Sequence, residues 1–270
     1  GVGPYDPAGH VSLTSLSVTG SYAQDAIAIY RIAGFNSFTM TGVVANVSAP
    51  WGVFNTDSVG GAIDASGLSG TNTGGGPLAS LQGLASNDLL TGTGGADVLR
   101  GRGDADTMAG GAGNDTYVVG DASDTIVEAV AGGTDTVNTS VSYTLVAGVE
   151  VENFNSTGTG VSLTGNAFAQ TITGDSGSNL LTGSGGNDSI NGGTGLGDQA
   201  VYAGNRADYS IIKTAEGTYQ VTDNTSGGGN EGTDILSNVE SAKFADQVYG
   251  FELDANSPDF SGAVTRFDVT

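Results

Sequence analysis

The chain has 270 residues, of which 29 are acidic and 7 are basic, so its formal net charge is −22. A protein of this charge repels a phosphate backbone, which excludes nucleic acid as an expected partner. Cysteine is absent and His10 is the one histidine, so disulfide bonds, a Cys/His catalytic couple and a His-Glu-x-x-His zinc site are also excluded.

The first eighty residues have the composition of β-strands. Segments 11–18, 26–32, 35–47 and 51–54 are rich in β-branched and aromatic residues and are separated by Gly, Asn and Ser turns. No segment has the pattern of a long amphipathic helix. We therefore predict a β-rich, solenoid-like amino-terminal region over residues 1–82.

A nine-residue period follows. Asp88, Asp97, Asp106 and Asp115 are spaced nine residues apart, and the last closes a complete Gly-Gly-x-Gly-x-Asp run at residues 110–115. Glycine adopts the left-handed backbone angles of a tight turn at little cost, which leaves carbonyl groups free to point at an ion. The period predicts a calcium-binding repeat, in which each loop is followed by a short strand.

The strands between these loops carry apolar residues at the inward position. Two nonapeptides make one coil, so Asp88 is predicted to lie beneath Asp106, and Asp97 beneath Asp115, about 4.8 Å apart. Calcium binds oxygen at about 2.3 to 2.6 Å and fits between such stacked loops. The pattern predicts a parallel β-roll with these inward residues: Leu90, Leu99, Met108 and Tyr117.

A second set of repeats runs in the same phase through Gln170, Asn179 and Asp188. Asp188 is the full carboxylate among them, because a neutral amide contributes less to a hard cation. The next loop, residues 192–198, is one residue longer than the template, so Asp198 is predicted as a ligand with displaced geometry. The inward residues of this set are Ile172, Leu181 and Ile190.

Several loops depart from the template. Residues 83–88 keep little but their ends, the loop at 92–97 has a shifted glycine, and Asp104 stands where glycine is expected. Asp124 and Asp135 end loops just before short strands and are predicted as peripheral ligands. The complete set of predicted calcium ligands, through side chains or loop carbonyls, is Asp88, Gly94, Asp97, Gly103, Asp104, Asp106, Gly111, Gly113, Asp115, Asp124, Asp135, Asn179, Gly186, Asp188, Gly193, Gly195 and Asp198.

These repeats and their flanks resemble the RTX (repeats-in-toxin) family of secreted Gram-negative proteins over roughly residues 83–250. The flanks include Asn-Asp-Thr-Tyr-Val-Val at 114–119, Gly-Thr-Asp-Thr-Val at 133–137 and Gly-Thr-Asp-Ile-Leu at 232–236. The resemblance implies an all-β fold, a parallel β-roll or β-helix with irregular β-rich ends, and Ca²⁺ as its ligand. It divides the chain into a β-rich region (1–82), a calcium-binding β-roll (83–205) and a β cap with an export signal (206–270).

The resemblance also implies a location outside the cell. No amino-terminal signal peptide and no apolar run of transmembrane length are visible in the sequence. RTX proteins leave through the type I secretion machinery by an uncleaved carboxy-terminal signal, and residues 259–270 resemble such a signal. We therefore expect a secreted protein at the exterior or surface of a Gram-negative cell.

Catalytic groups are not recognisable. No Gly-x-Ser-x-Gly elbow occurs, which argues against the lipases that carry RTX tails. The carboxylate pairs Glu150 with Glu152 and Asp121 with Asp124 could serve glycoside chemistry. Without an aromatic-lined sugar site, solvation of strand edges or calcium coordination is the favoured interpretation. The sequence predicts a protein that is not an enzyme.

Two classes of function remain open. The first is a surface-layer or matrix subunit that folds and associates into sheets or filaments on binding calcium. It is favoured because residues 61–70 resemble β-helical coils that precede RTX repeats in surface-layer proteins and large adhesins. The second is a noncatalytic export, stabilising or polysaccharide-binding module of an exoenzyme. A cell-surface polysaccharide is a possible partner in either class.

Overall fold

A computed structural model describes the chain as an all-β solenoid. The described residues are 10–14, 17–21, 27–30, 37–41, 43–48, 54–57, 62–65 and 68–72, followed by 76–251 apart from 84, 129 and 226–228. Within them there is one turn of 3-10 helix and no α-helix. The predicted fold class is confirmed. The predicted export signal at residues 259–270 lies outside the described residues.

The amino-terminal coils have three strands each. His10 pairs in parallel with Ser37, 27 residues further on, and Ser37 pairs with Ala62 in the next coil. The predicted segments 11–18 and 35–47 each contain two strands, which belong to different sheets. The strands of these coils are β1 (His10–Thr14), β2 (Ser17–Ser21), β3 (Ile27–Tyr30), β4 (Ser37–Thr41), β5 (Val43–Ser48), β6 (Phe54–Asp57), β7 (Ala62–Asp64), β8 (Leu68–Asn72) and β9 (Ala79–Gln82).

From Leu89 onwards each coil has two strands. Leu89 pairs with Thr107 and Thr107 pairs with Thr125, so one coil takes 18 residues, which is two nonapeptides. The sheet β2-β5-β8 therefore gains no further strand. The strands are β10 (Leu89–Thr91), β11 (Val98–Arg100), β12 (Thr107–Ala109), β13 (Thr116–Val119), β14 (Thr125–Val127), β15 (Thr136–Thr139), β16 (Tyr143–Thr144), β17 (Asn153–Ser156), β18 (Ser162–Thr164), β19 (Thr171–Thr173), β20 (Leu180–Thr182), β21 (Ser189–Asn191) and β22 (Gln199–Val201).

Antiparallel strands cover the carboxy-terminal end of the coils. After the 3-10 helix Arg206–Asp208, a hairpin returns along the last parallel strand of one sheet, and a final strand pairs antiparallel with the last parallel strand of the other. The antiparallel pairing ends the solenoid repeat. The elements are β23 (Tyr209–Ala215), β24 (Thr218–Asp223), β25 (Thr233–Ser237), β26 (Ser241–Lys243) and β27 (Val248–Gly250).

One sheet runs through the whole described chain. This long sheet has twelve strands, from β3 to β23, and it joins the two runs of nonapeptides. The opposite face is divided into a first short sheet, β1-β4-β7-β10-β12-β14, and a second short sheet, β16-β18-β20-β22-β26-β27. At the division the Tyr143 hydroxyl donates a hydrogen bond to the Asp124 carbonyl at 2.8 Å, so a side chain bridges the two coils there.

The core lies between the two faces and is thin. In a strand of three residues only the middle side chain points inward, because side chains alternate between the faces of a sheet. Stacked inward residues pair in register from coil to coil, as Leu99 does with Tyr117 and Leu90 does with Met108. Every predicted inward residue is buried: Leu90, Leu99, Met108, Tyr117, Ile172, Leu181 and Ile190.

Candidate metal centre

Carboxylates are stacked along the edge of the solenoid from which the chain enters the long sheet. On this long-sheet edge the Asp97 backbone N–H donates to Asp115 Oδ1 at 2.8 Å, and the Asp115 N–H donates to Asp135 Oδ1 at 2.8 Å. The three side chains are each 1% exposed. The predicted stacking of Asp97 beneath Asp115 is therefore present, and Asp135 continues it by one coil.

The opposite edge, from which the chain enters the short sheets, has the same ladder. On this short-sheet edge Asp88 N–H donates to Asp106 Oδ1 at 2.8 Å, and Asp106 N–H donates to Asp124 Oδ1 at 3.1 Å. In the second run, Asn179 N–H donates to Asp198 Oδ1 at 2.7 Å. One carboxylate oxygen of each acceptor thus holds the coil before it.

The second run continues the ladder of the long-sheet edge through a residue that the sequence did not single out. Gln170 N–H donates to Asp188 Oδ1 at 2.7 Å, and Asp188 N–H donates to Asp234 Oδ1 at 2.9 Å. Asp234 lies 46 residues beyond Asp188 because the β23–β24 hairpin is inserted between them. The Gly-Thr-Asp sequence that Asp135 and Asp234 share was the available signal.

The second oxygen of each loop aspartate points into its own loop, toward the first glycine of that loop. A side-chain carbon at Gly110 would overlap Asp115 Oδ2, and one at Gly183 would overlap Asp188 Oδ2. The glycine is required there because the carboxylate occupies the space that a Cβ would take. The same contact recurs at Gly83, Gly92, Gly101 and Gly192.

Four of these inward oxygens are buried without a hydrogen-bond partner in the described chain. They are Oδ2 of Asp106, Asp115, Asp188 and Asp198. A buried polar atom without a partner is costly, and buried polar groups almost always have one. A cation supplies the missing partner, and carboxylate and carbonyl oxygens are the ligands that calcium prefers. The residues present therefore fit calcium.

Other predicted positions satisfy their polar atoms within the protein. Asp97 Oδ2 accepts hydrogen bonds from Thr93 N–H at 2.5 Å and from its hydroxyl at 2.9 Å. Asn179 Oδ1 accepts from Asp175 N–H at 3.0 Å, and its amide donates to the Val161 carbonyl at 2.9 Å. The departures from the loop template thus coincide with positions at which protein groups replace a cation.

The predicted loop carbonyls lie in the turns next to these carboxylates. Gly111 and Gly113 have φ of 106° and 110°, in the left-handed region that favours glycine. Asp104 adopts φ of 67° in the corresponding part of its loop, and its side chain is exposed. Gly186 and Gly193 have φ of 108° and 102°. The remaining predicted glycines, which also lie in these turns, are Gly94, Gly103 and Gly195.

Burial raises the pKa of the loop carboxyl groups, because removal from water disfavours the charged form. The pKa is raised to about 6 for Asp106, Asp188 and Asp198, and to about 8 for Asp115, where neighbouring carboxylates add to the effect. The pKa is also raised for Asp97 (about 6), Asp124, Asp135 and Asp234 (about 7). A bound cation would stabilise the charged forms of these groups.

Stacked glycine loops with inward carboxylates define a calcium-binding parallel β-roll. The family model for the RTX calcium-binding nonapeptide repeat matches residues 82–117 and 164–196, in four copies. The chain therefore belongs to the RTX-repeat proteins and binds calcium. No curated protein and no solved structure matches the chain. Across the described residues, no helix has the length and apolar character needed to cross a membrane.

The raised pKa values predict that acid stabilises the calcium-free fold. Between about pH 4 and pH 8 the folded carboxyl groups bind more protons than the unfolded ones, so the free energy of unfolding decreases as pH rises. In calcium-free buffer we expect the β signal in circular dichroism to grow as pH falls from about 8 to about 5. In saturating calcium this gain should be absent, because protons then compete with the bound ions. A calcium-free β signal that falls steadily over this range would contradict the prediction.

Proposed function

We propose that the protein is an extracellular structural subunit, of a surface layer or matrix, that folds and self-associates when it binds calcium. The observation that carries this proposal is the set of four buried aspartate oxygens without partners, which ties formation of the solenoid to a cation. RTX repeats are typical of secreted proteins. Millimolar calcium outside the cell would fill sites of the affinity usual for extracellular modules, about 10⁻⁴ to 10⁻³ M.

The carboxylate pairs considered for glycoside chemistry support a noncatalytic protein. Glu150 accepts a hydrogen bond from the Ala131 N–H, and Glu152 accepts one from the Asp135 N–H at 2.6 Å. Asp124 accepts from the Asp121 N–H at 3.2 Å. Each of these carboxylates holds the backbone of a loop, which is a structural role.

The charge of the chain and its end strands support assembly. At a net charge of −22 the copies repel one another, and salt screens this repulsion only over about 8 Å. Bound calcium lowers the charge and orders the end strands. The edge strand β27 exposes Val248 (55%) and Tyr249 (40%), and an exposed apolar edge strand favours pairing with another chain.

We expect self-association to follow calcium in a sedimentation series at fixed protein concentration. Val248→Lys should weaken it, because a charge on an edge strand opposes strand pairing. Leu196→Lys, which places the same charge at a similarly exposed loop position (54%), should not. A folded protein that stays monomeric at several millimolar calcium would instead favour the noncatalytic export module of an exoenzyme.

A further inference from the structure

A third carboxylate joins the long-sheet edge from outside the nonapeptides. Glu128 follows strand β14, lies beyond the segments that the family model matches, and is 8% exposed. One oxygen from each of Asp115, Glu128 and Asp135 can be chosen so that all three lie within 4.8 Å of one another. In the part of the chain that the structure describes, no other group of three acidic side chains meets this criterion.

The loop that carries Glu128 is longer than a nonapeptide loop. Asp115 and Asp135, which stack directly, are 20 residues apart, whereas Asp97 and Asp115 are 18 apart. The extra length lets the chain turn through Ala131, whose φ of 62° is left-handed. The loop thereby returns a glutamate to the edge at which the preceding coils have only glycine.

The Glu128 carboxylate is held in place by a tyrosine of the core. The Tyr117 hydroxyl donates to Glu128 Oε2 and accepts a hydrogen bond from the Gly110 N–H at 2.9 Å. A side-chain carbon at Gly110 would overlap both Tyr117 Oη and Asp115 Oδ2. These two oxygens therefore flank the same small space, and the tyrosine proton is already donated to Glu128.

Asp115 supplies an independent observation. Its Oδ2 is buried without a hydrogen-bond partner, and the residue is 1% exposed. Its Oδ1 already accepts from Asp97 N–H at 2.8 Å, so the orphaned oxygen is the one directed into the space beside Tyr117. A buried charged oxygen beside two further carboxylates is strongly destabilising unless a proton or a cation lies between them.

We propose that Asp115, Glu128 and Asp135 bind a calcium ion of their own, which closes the first run of repeats. Oxygens on opposite sides of a calcium ion lie about 4.6 to 5.2 Å apart, since each bond is about 2.3 to 2.6 Å, and the three carboxylates meet this limit. In a nonapeptide site the loop carbonyls complete the shell; here the glutamate replaces them. The inference rests on the calcium binding of the repeats but not on assembly.

The carboxy-terminal end of the second run offers a matched control. There the Tyr209 hydroxyl donates to Glu231 Oε2 and accepts from the Gly204 N–H at 3.0 Å, which repeats the arrangement of Glu128. Asp188 and Asp234 stack beside it as Asp115 and Asp135 do. The carboxylates of this second group do not meet the distance criterion that the first group meets.

The number of calcium ions bound by the full-length chain tests the proposal. Glu128→Gln keeps an oxygen that can accept from Tyr117 but removes a charge, so we expect equilibrium dialysis with calcium to show one ion fewer than in the unchanged protein. Glu231→Gln should bind the full number. Equal numbers in all three proteins, with each folded by circular dichroism, would overturn the proposal.

A second measurement does not depend on folding of a variant. Crystals of the unchanged protein grown in calcium should show an anomalous density peak bonded to an oxygen of each of Asp115, Glu128 and Asp135. Peaks in the glycine loops without one at this position would refute the site. Loss of self-association with this ion in place would instead count against the proposed assembly function, so the two failures are distinguishable.

Discussion

Removal of calcium is expected to unfold most of the solenoid. If each of the four partnerless aspartate oxygens marks one site of dissociation constant near 10⁻⁴ M, about 1 mM calcium stabilises the fold by roughly 1.4 kcal/mol per site. The four sites then contribute about 6 kcal/mol, within the range of about 5 to 15 kcal/mol that is typical of a whole domain. The thin core and the absence of disulfide bonds leave little to replace this contribution.

Circular dichroism in excess EGTA and in millimolar calcium provides the measurement. We expect the calcium-free chain at neutral pH to lose most of its β signal and its cooperative melting transition, and added calcium to restore both. Magnesium should restore little, because it requires a small octahedral shell and gives up its water reluctantly. The same β signal and melting temperature in EGTA and in calcium would show that the ladders are stable without the ion.

The repeats made the central fold predictable. A nine-residue period fixes which side chain points inward, so Leu99 and Tyr117 could be placed in one stack without coordinates. The amino-terminal coils carry no such period. Their coil length of 27 residues between His10 and Ser37 comes from strand pairing, and the sequence indicated only that these residues form strands. The change from three-strand to two-strand coils could therefore not be predicted.

The site was predictable where the ligand lies in a repeat and not where a longer loop returns to the edge. The stacking of Asp97 beneath Asp115 follows from the period alone. Glu128 and Asp234 reach the same edge only because the intervening insertions fold back, and that requires the tertiary structure. The first glycine of each loop could have been identified, since Gly110 and its counterparts precede the loop aspartate at a nearly constant spacing.

Replacement of one inward oxygen should reveal which aspartates carry the calcium dependence. Asp106→Asn keeps an oxygen that can accept from the Asp88 N–H, now at 2.8 Å, but puts an uncharged amide where the partnerless Oδ2 lies. Because calcium affinity depends on the charge of its ligands, we expect the calcium midpoint for folding to rise roughly ten-fold or more, which is at least about 1.4 kcal/mol.

A charge-matched variant separates this positional effect from screening of the whole molecule. Glu216→Gln removes the same unit of charge from an exposed position in the β23–β24 turn and should leave the calcium midpoint nearly unchanged. Asp188→Asn should behave as Asp106→Asn does, because its Oδ2 is also buried without a partner in the second run. If all three variants shifted the midpoint equally, calcium would act by neutralising a chain of −22 rather than by occupying the loops, and the ladder would lose its role in folding.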